Sequence, residues 1–327
     1  MNKATAIVFP APDNVELQTY DIPDPQPDEL LVRTEYSGVS QGTEIWALSG
    51  QRPELKFPTV PGYQSIGRVE SVGEKLAGKF KSGQRVFYCT SRLAPEFPET
   101  WMGAHVSHAL VKEALVVAEE TDPVAASLSA LAAVSLRGIR MLDIHYGDLV
   151  VVTGQGLIGQ GSAQLAKAAG AVVVATDIHA PRLGLSRKFS ADVTVNVKEE
   201  DLGKIVRGLR EKGADAVIET TGRSDQFAPC IDLLRREGQL LLQGWYPKPI
   251  AFDFHTTHLK KPTVAITCGM DLAETALCLE LMRWRKLNFR ELVTDLAPVA
   301  SAPDIYRRML ANDPDILGAV FDWSGVG

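Results

Sequence analysis

Hydrophobic residues follow two different patterns along the chain. Up to about residue 120 they form short β-type runs that proline and glycine interrupt, which is typical of strands joined by surface loops. The runs cover residues 3–9, 30–36, 67–72, 85–88 and 110–117. The first part of the chain therefore predicts a mostly-β domain.

The pattern changes at Asp122-Pro123, a typical helix start, which precedes an alanine-, leucine- and serine-rich stretch that predicts a long helix. Beyond this stretch, near-continuous apolar runs alternate with helical periodicity, as expected of parallel strands that are covered on both faces. The apolar runs cover residues 149–152, 172–175, 193–197, 216–218, 239–242 and 264–267. Six strands with crossover helices predict a doubly wound nucleotide-binding domain.

The C-terminal region does not continue this alternation. It predicts a helix, a short strand, a second helix and a final strand, at residues 273–285, 291–294, 301–310 and 318–322. We expect this segment to return and complete the first domain. The predicted fold is therefore α/β, with a mostly-β domain made of residues 1–122 and 287–327, and a parallel-sheet domain made of residues 123–286.

Composition excludes several classes of function. The chain has 327 residues and a formal net charge of −6, so it lacks the basic character of nucleic-acid binding. No apolar run approaches the roughly 18 residues of a membrane span, and the N-terminus does not read as a signal peptide. The four cysteines form no C-x-x-C pair, which predicts neither a disulfide framework nor a cysteine zinc site. A cytoplasmic location is the interpretation that these features favour.

A glycine-rich turn follows the first apolar run of the second domain. Residues 148–159 read DLVVVTGQGLIG, so Gly154, Gly156 and Gly159 have the spacing G-x-G-x-x-G between a strand and a helix. In this spacing the glycines allow a tight turn, a close approach of backbone to phosphate, and packing of helix on strand. The helix start at Leu157 and Ile158 would direct N–H groups at the phosphates. The motif predicts dinucleotide binding.

An acidic residue follows the next apolar run, as the dinucleotide motif requires. Asp177 lies 23 positions after Gly154, close to the roughly 20 expected for an acid that binds the ribose hydroxyls. Such a carboxylate would repel the 2′-phosphate of NADP, which favours NAD as the cofactor. Arg182 and His179 are basic residues nearby, and Arg182 is placed where it could stack on adenine or meet a 2′-phosphate.

Five further motifs occur in order along the chain. They read YSGVSQGTE at residues 36–44, FPTVPGYQ at 57–64, GQRV at 83–86, AVIETTG at 216–222 and GQLLLQG at 238–244. With these motifs the chain resembles the medium-chain dehydrogenase/reductase superfamily, the zinc alcohol dehydrogenases and their zinc-lacking relatives. The resemblance implies a GroES-like catalytic domain beside a Rossmann domain, and it places Thr221 and Gly244 among the cofactor-binding residues.

The chain departs from this family at the zinc ligands. By alignment to the family pattern, Gln41 stands where the cysteine would be, Tyr63 and Gln64 replace a His-Glu pair, and Ala130 replaces a glutamate. None of these side chains is a usual zinc ligand, so we expect no metal. SGVSQGTE and VPGYQ are most similar to the zinc-lacking branch typified by bacteriochlorophyllide dehydrogenase, which implies NAD-dependent oxidation of a hydroxyethyl group on a chlorin ring.

Without zinc, a side chain must take up or supply the proton of the substrate hydroxyl. Tyr63 is the candidate, although the alternative is that it only fills the former zinc site. Thr43 matches the hydroxyl that relays the substrate proton in the family, and Gln64 could orient the substrate oxygen. His105 is a candidate pocket residue with a near-neutral pKa. Glu44 matches a buried family acid, for which we expect a structural role in a pair with an arginine such as Arg68 or Arg137.

The sequence thus predicts a zinc-independent, NAD(H)-dependent dehydrogenase that acts on a secondary alcohol or its ketone, with a hydroxyethyl tetrapyrrole, a sugar or a secondary metabolite as substrate. Two alternatives stay open: an NADPH-dependent quinone or enoyl reductase, and a nucleotide-binding redox sensor without catalysis. A small-molecule substrate is the expected partner, with neither nucleic acid nor membrane. A homodimer is also expected, through the edge strand at residues 264–267.

Overall fold

The computed structural model describes residues 3–98 and 100–326, which separate into two compact units. The first unit combines the described residues up to Ala130 with those from Phe289 onward, and the second unit runs from Leu131 to Asn288. No helix within the described ranges has the length and apolar character needed to cross a bilayer.

The N-terminal segment of the first unit is rich in strands, as its sequence pattern predicts. Its strands are β1 (Lys3–Val8), β2 (Glu16–Asp21), β3 (Leu30–Gly38), β4 (Ser65–Val72), β5 (Arg85–Tyr88), β6 (His108–Val111) and β7 (Leu115–Val116), and its helices are α1 (Gln41–Leu48) and α2 (Pro123–Ala126). The sequence pattern missed β2, which pairs antiparallel with β1. Most residues of β2 are exposed, so it lacks the apolar run that marked the other strands.

The expected long helix after Asp122 is instead two short helices. Asp122 caps α2 by accepting a hydrogen bond from the Ala125 N–H at 3.0 Å, as its helix-start pattern predicts. The helix ends at Ser127, whose hydroxyl donates to the Val124 carbonyl at 2.8 Å. Gly38 packs against this end, because a Cβ at Gly38 would lie 2.3 Å from the Ser127 carbonyl oxygen.

The next part of the chain, which builds the second unit, alternates strands and helices. Its helices are α3 (Ser129–Ile139), α4 (Leu157–Ala168), α5 (Ala180–Phe189), α6 (Leu202–Leu209), α7 (Phe227–Leu233), α8 (Phe254–Lys260) and α9 (Leu272–Arg283). Its strands are β8 (Leu149–Thr153), β9 (Val172–Asp177), β10 (Val193–Asn196), β11 (Ala214–Glu219), β12 (Leu234–Leu242) and β13 (Thr263–Ile266).

In the described part of the second unit, these strands form one parallel sheet in the order β10-β9-β8-β11-β12-β13. All five residues of β8 are buried, as expected for a strand that helices cover on both faces. Strand β8 lies between β9 and β11, where the winding of the chain reverses. The carboxyl end of β8 is therefore the switch point at which doubly wound sheets bind their ligands.

The C-terminal segment adds β14 (Val293–Pro298), α10 (Ala302–Leu310) and β15 (Gly318–Asp322) to the first unit. Strands β1 and β2 form a two-stranded sheet, and the other described strands of this unit form a sheet in the order β14-β15-β3-β4-β5-β7, with β6 paired to β3. Strand β15 runs antiparallel to β3 and pairs Val320 with Gly38. Tyr306 of α10, Phe321 of β15 and Trp323, the residue after β15, join Ile7 and Leu48 in one buried cluster. The C-terminal segment is thereby packed against β1 and α1.

Candidate active site

The glycine turn after β8 has the geometry that its spacing predicts. Gly154 has a φ of +84°, which favours glycine, and its N–H donates to the Thr176 carbonyl at 2.8 Å. A Cβ at Gly159 would lie 1.9 Å from the Gly154 carbonyl oxygen, so the turn and α4 can pack only with glycine there. A Cβ at Gly156, in contrast, would meet nothing within 4 Å. Position 156 therefore lies against open space.

Helix α4 begins at this open space. Gly156 is its N-cap residue, Leu157 and Ile158 form its first turn, and no side chain caps this end among the described residues. The backbone N–H groups of a first helical turn lack partners within the helix and carry a partial positive charge. The turn thus has the features of a phosphate cradle.

Asp177 ends β9 and is only 8% exposed. One of its carboxylate oxygens accepts a hydrogen bond from the Gln155 N–H at 2.6 Å. The other accepts from the N–H groups of Ile178 at 2.7 Å and His179 at 2.9 Å. Asp177 therefore ties the glycine turn to the loop after β9. Arg182 lies half-buried in α5, and its carbonyl accepts from the Gln160 side chain at 2.9 Å.

Glu219, at the end of β11, holds the two loops that contain Thr221 and Gly244. Its buried carboxylate accepts hydrogen bonds from the Thr221 N–H at 2.8 Å, the Thr221 hydroxyl and the Tyr246 hydroxyl. A Cβ at Gly244 would lie 2.4 Å from the Gly222 nitrogen, so the loops also touch through their backbones. Burial and the neighbouring carboxylate hold the pKa of Tyr246 well above its ordinary value. The sequence analysis missed Glu219, although a lone acid at the end of an apolar run was a usable signal.

Tyr63 lies in the first unit, partly buried, with its hydroxyl bonded to two others. The phenol donates to the Ser40 hydroxyl at 2.7 Å, and it also bonds the Thr43 side chain. Burial raises the pKa of Tyr63 to about 12, and the bonds to Ser40 and Thr43 act in the opposite direction. The predicted pair of Tyr63 and Thr43 is thus brought together, with Ser40 as a third member that sequence reasoning missed.

Glu44 and His105 belong to a buried polar network. One oxygen of the Glu44 carboxylate accepts from the Ser40 N–H at 2.7 Å, and the other accepts from the Tyr306 hydroxyl and lies 3.1 Å from His105 Nε2. Because a carboxylate only accepts, Nε2 of His105 carries a hydrogen. Two further residues complete the network: Ser37 Oγ lies 2.8 Å from His105 Nδ1 and accepts from Trp323 Nε1 at 2.8 Å.

The network corrects the expected partner of Glu44. Arg68 pairs with Glu35 and Glu119 instead, and Arg137 pairs with Glu274 and Asp271. The acid is satisfied by the Ser40 N–H, the Tyr306 hydroxyl and the His105 imidazole rather than by an arginine.

His105 and Gln64 are both fully buried. A Cβ at Gly62 would lie 2.6 Å from the His105 ring, so the loop that leads to Tyr63 rests directly on this histidine. The Gln64 carbonyl accepts from the Gly38 N–H at 3.0 Å and thereby fixes the same loop to the end of β3. In the structure these two residues fix the loop that carries Tyr63, and neither has exposed surface. Their catalytic roles stay predictions.

An aromatic and a cationic side chain lie next to Tyr63. The Trp101 ring lies 5.7 Å from the Tyr63 ring, and the Arg52 guanidinium lies 5.4 Å from the centre of the Trp101 ring. Trp101 is 45% exposed. The phenol thus has an apolar neighbour that is accessible to a ligand, and its positive neighbour Arg52 favours the phenolate.

Two family profiles match the chain. The profile described as "Alcohol dehydrogenase GroES-like domain" matches residues 26–121, and the one described as "Zinc-binding dehydrogenase" matches residues 158–284. The chain belongs to the medium-chain dehydrogenase/reductase superfamily. It is therefore an alcohol dehydrogenase-like oxidoreductase of a family that uses a nicotinamide cofactor.

Individual relatives are similar over most of their length. The chain is 26% identical to 2-desacetyl-2-hydroxyethyl bacteriochlorophyllide A dehydrogenase of Cereibacter sphaeroides, over 98% of each chain. It is 28% identical to sorbitol dehydrogenase of Halalkalibacterium halodurans, over 83% of this chain and 85% of the relative. Among solved structures, a protein from Sinorhizobium meliloti described as a zinc-binding dehydrogenase, bound to NADP, has a TM-score of 0.87 at 21% identity. The match covers 98% of this chain and 100% of that one, and it shows a shared fold.

The residues around Tyr63 do not fit a zinc ion. The side chains that bond the Tyr63 hydroxyl are those of Ser40 and Thr43, on either side of Gln41 in the sequence, so the groups at this point are three hydroxyls. Within the described residues, no three His, Cys, Asp or Glu side chains come together to hold a metal. Catalytic zinc takes three protein ligands from those residue types.

The second unit, in contrast, fits a dinucleotide. The uncapped start of α4, the open space at Gly156 and the carboxylate of Asp177 lie along one edge of the sheet, at the ends of β8 and β9. These groups match the phosphate and ribose contacts of a nicotinamide dinucleotide.

Proposed function

We propose that the protein is a zinc-independent dehydrogenase that uses NAD(H) to interconvert a secondary alcohol and its ketone. The observation that carries this proposal is the phenol of Tyr63, bonded to two hydroxyl groups at the place where the family would hold a metal. The bound nicotinamide supplies or accepts the hydride, and the chain has to move the proton. Its cysteines are unpaired, which suits a reducing compartment such as the cytoplasm.

Tyr63 moves that proton. In the reductive direction its hydroxyl donates the proton to the substrate oxygen, and in the oxidative direction the phenolate takes it back. Since the pKa of Tyr63 is raised to about 12, the phenol is protonated at neutral pH and is prepared for reduction. Thr43 holds the same oxygen and keeps it oriented. Trp101 offers an apolar wall beside it for the carbon skeleton of the substrate.

NAD rather than NADP follows from Asp177. Its carboxylate ends β9, where it would hold the adenosine ribose of a bound dinucleotide and repel a 2′-phosphate. The NADP in the S. meliloti structure shows what that protein binds. At 21% identity it does not carry over to this chain.

The substrate class is an alcohol of moderate size that carries its hydroxyl on a secondary carbon. The relatives act, by their names, on a hydroxyethyl bacteriochlorophyllide and on sorbitol, which both meet this description. A hydroxyethyl tetrapyrrole, a sugar or polyol, and a secondary-metabolite alcohol are therefore the classes to test.

The test combines binding and turnover. NADH and NADPH are titrated into the protein by fluorescence, and polyols, sugar alcohols, hydroxyethyl chlorins and the matching ketones are then added. We expect NADH to bind more tightly and at least one alcohol–ketone pair to turn over. Tyr63→Phe should lower kcat by about 10²- to 10⁴-fold while NADH binding stays unchanged. Tyr36→Phe, at another partly buried tyrosine of the first unit, is the matched control.

Other outcomes would overturn the proposal in distinguishable ways. Turnover of α,β-unsaturated carbonyl compounds with NADPH would identify a quinone or enoyl reductase. NADH binding without turnover of any compound, together with indifference to Tyr63→Phe, would identify a redox sensor. Stoichiometric zinc in the purified protein, measured by elemental analysis, would exclude the metal-free chemistry.

We also propose that the protein forms a homodimer through β13. This strand is the outermost of the parallel sheet, and two apolar side chains on one of its faces are exposed, Val264 by 40% and Ile266 by 71%. A second copy that pairs edge to edge would cover them and extend the sheet. Sedimentation should show a dimer, and Ile266→Lys should give a folded monomer. A wild-type monomer at micromolar concentration would contradict this.

A further inference from the structure

Ser40 occupies a position where its side chain would ordinarily have another task. It is the N-cap residue of α1, and serine at this position usually accepts a hydrogen bond from a first-turn N–H of the helix. In the structure the Ser40 side chain makes no such bond. Its hydroxyl lies instead 2.7 Å from the Tyr63 hydroxyl. The Ser40 hydroxyl therefore contacts Tyr63, the proposed acid, instead of making the usual capping hydrogen bond.

Glu44 holds Ser40 in this arrangement. Its carboxylate reaches back from the first turn of α1 and accepts the Ser40 N–H at 2.7 Å. The carboxylate is itself fixed, because Tyr306 and His105 bind its other oxygen and all three side chains are fully buried. The backbone of Ser40 is therefore anchored to a rigid network, and its hydroxyl is left to bind the phenol.

We propose that Ser40 is a positioning residue for proton transfer: together with Thr43 it orients the phenol oxygen of Tyr63 and donates a hydrogen bond to it once the proton has left. This inference rests on the proposed function, in which Tyr63 exchanges the proton of the substrate. Neither family resemblance nor sequence spacing had drawn attention to Ser40.

In the reductive direction, bound NADH would supply the hydride and be left as NAD⁺. The hydride reaches the carbonyl carbon of the substrate, and the O–H bond of Tyr63 breaks as its proton forms a new O–H bond on the substrate oxygen. The electron pair stays on the phenolate, which then accepts hydrogen bonds from the hydroxyls of Ser40 and Thr43. A proton from the bulk solvent restores the phenol of Tyr63 after the alcohol leaves.

The charges around the phenol show why such donors are needed. Burial and the negative charge of Glu44 disfavour the phenolate, and they raise the pKa of Tyr63. The bonds from Ser40 and Thr43 and the positive charge of Arg52 oppose that rise. A hydrogen bond to a charged group is among the strongest in proteins, so the loss of one donor should be measurable.

The experiment places a fluorinated tyrosine at position 63 of the full chain and follows its ionisation by ¹⁹F NMR, without substrate. Fluorination lowers the pKa of a phenol and brings the titration into an accessible range. Ser40→Ala should raise the pKa of this residue by about one unit or more. Ser40→Thr, which keeps the hydroxyl, should restore most of the original value. Ser49→Ala, at the opposite end of α1, should leave the titration unchanged.

An unchanged titration in Ser40→Ala would overturn the inference. If Ser40→Ala fails to fold, Ser40→Cys replaces it, since a thiol is similar in size and a weaker donor. This readout is independent of turnover. If Tyr63→Phe loses activity while Ser40→Ala leaves the titration unchanged, the positioning role of Ser40 is wrong and the proposed function stands. If Tyr63→Phe keeps full activity, the proposed function is wrong, whatever the titration shows.

Discussion

The two units solve their chemical tasks with different parts of the polypeptide. The second unit builds its proposed cofactor site mainly from backbone, with the N–H groups at the start of α4 and the glycines Gly154, Gly156 and Gly159. The first unit builds the surroundings of Tyr63 from side chains. A backbone site depends on a few residues that are close in sequence. A side-chain site depends on the packing of the whole unit.

This difference determines how each site should fail. Substitutions in the backbone site should act through the space that a new Cβ occupies. Substitutions in the side-chain network should act through lost or reversed hydrogen bonds. Four predictions test that distinction.

The largest effect is expected from adding one methyl group to the glycine turn. Gly159→Ala would place a Cβ 1.9 Å from the Gly154 carbonyl oxygen, and we expect a loss of about 4 kcal/mol or more in the free energy of unfolding. Gly156→Ala is the matched control, since its Cβ meets nothing within 4 Å. Gly156→Ala should change the free energy of unfolding by less than about 0.5 kcal/mol. It should still weaken NADH binding by about tenfold or more, because the new methyl group fills the space for phosphate. Chemical denaturation and fluorescence titration measure both. Equal stability of the two variants would contradict the structure of the turn.

Glu44→Gln tests the side-chain network. The new amide would direct its N–H₂ group at a donor, whichever way it turns, since Ser40, His105 and Tyr306 all present hydrogens to the carboxylate. We expect a loss of about 2–4 kcal/mol in the free energy of unfolding, measured by chemical denaturation. Glu16→Gln, at an exposed position of β2, should cost less than about 0.5 kcal/mol. Similar losses in the free energy of unfolding of both variants would show that the network around Glu44 does not stabilise the fold.

Asp177→Ala tests the one side chain on which the backbone site depends. We expect NAD affinity to fall by roughly ten- to a hundredfold, while the preference for NAD over NADP narrows. Asp201→Ala removes a comparable bond from a carboxylate to a backbone N–H, at the start of α6, and should leave both affinities unchanged. Isothermal titration with each dinucleotide measures the effect. An unaltered NAD to NADP ratio in Asp177→Ala would refute the role of this residue.

The smallest effect is a dependence on pH. Tyr63 has a raised pKa of about 12. At every pH well below this pKa, the fraction of phenolate grows about tenfold for each unit by which the pH rises. Alcohol oxidation, which needs the phenolate, should therefore accelerate with pH. Ketone reduction needs the phenol, which is fully protonated near neutral pH, so Tyr63 should cause no change in the rate of reduction there. Profiles of kcat/KM in both directions, with Tyr63→Phe as the reference, measure this. A flat oxidation profile would exclude Tyr63 as the base.

Much of the fold and of the glycine turn was predictable from the sequence. The apolar runs predicted the six parallel strands, and the glycine spacing led to Gly154, Gly156 and Gly159 in the geometry expected of them. Both predictions depend on local patterns, which a sequence displays directly. Strand β2 escaped because most of its residues are exposed and its apolar pattern is weak.

The network around Glu44 was not predictable in the same way. Glu44 and Tyr306 are 262 residues apart in sequence, and Ser37 and Trp323 are 286 apart. Only the antiparallel pairing of β15 with β3 and the packing of α10 bring them together. Charge alone suggests an arginine beside Glu44, whereas Ser40, Tyr306 and His105 bind the carboxylate instead. Long-range polar partners of this kind leave no periodic signal.

The contact between Gly62 and His105 sets a rule for redesigning this enzyme. Because any side chain at position 62 would collide with the imidazole, a mutant library aimed at new substrates cannot vary these two positions independently. Gly42 offers the opposite situation in the same neighbourhood, since a Cβ there meets nothing within 4 Å. Directed evolution of the substrate range should therefore randomise position 42 and its exposed surroundings, and keep the glycine–histidine pair fixed.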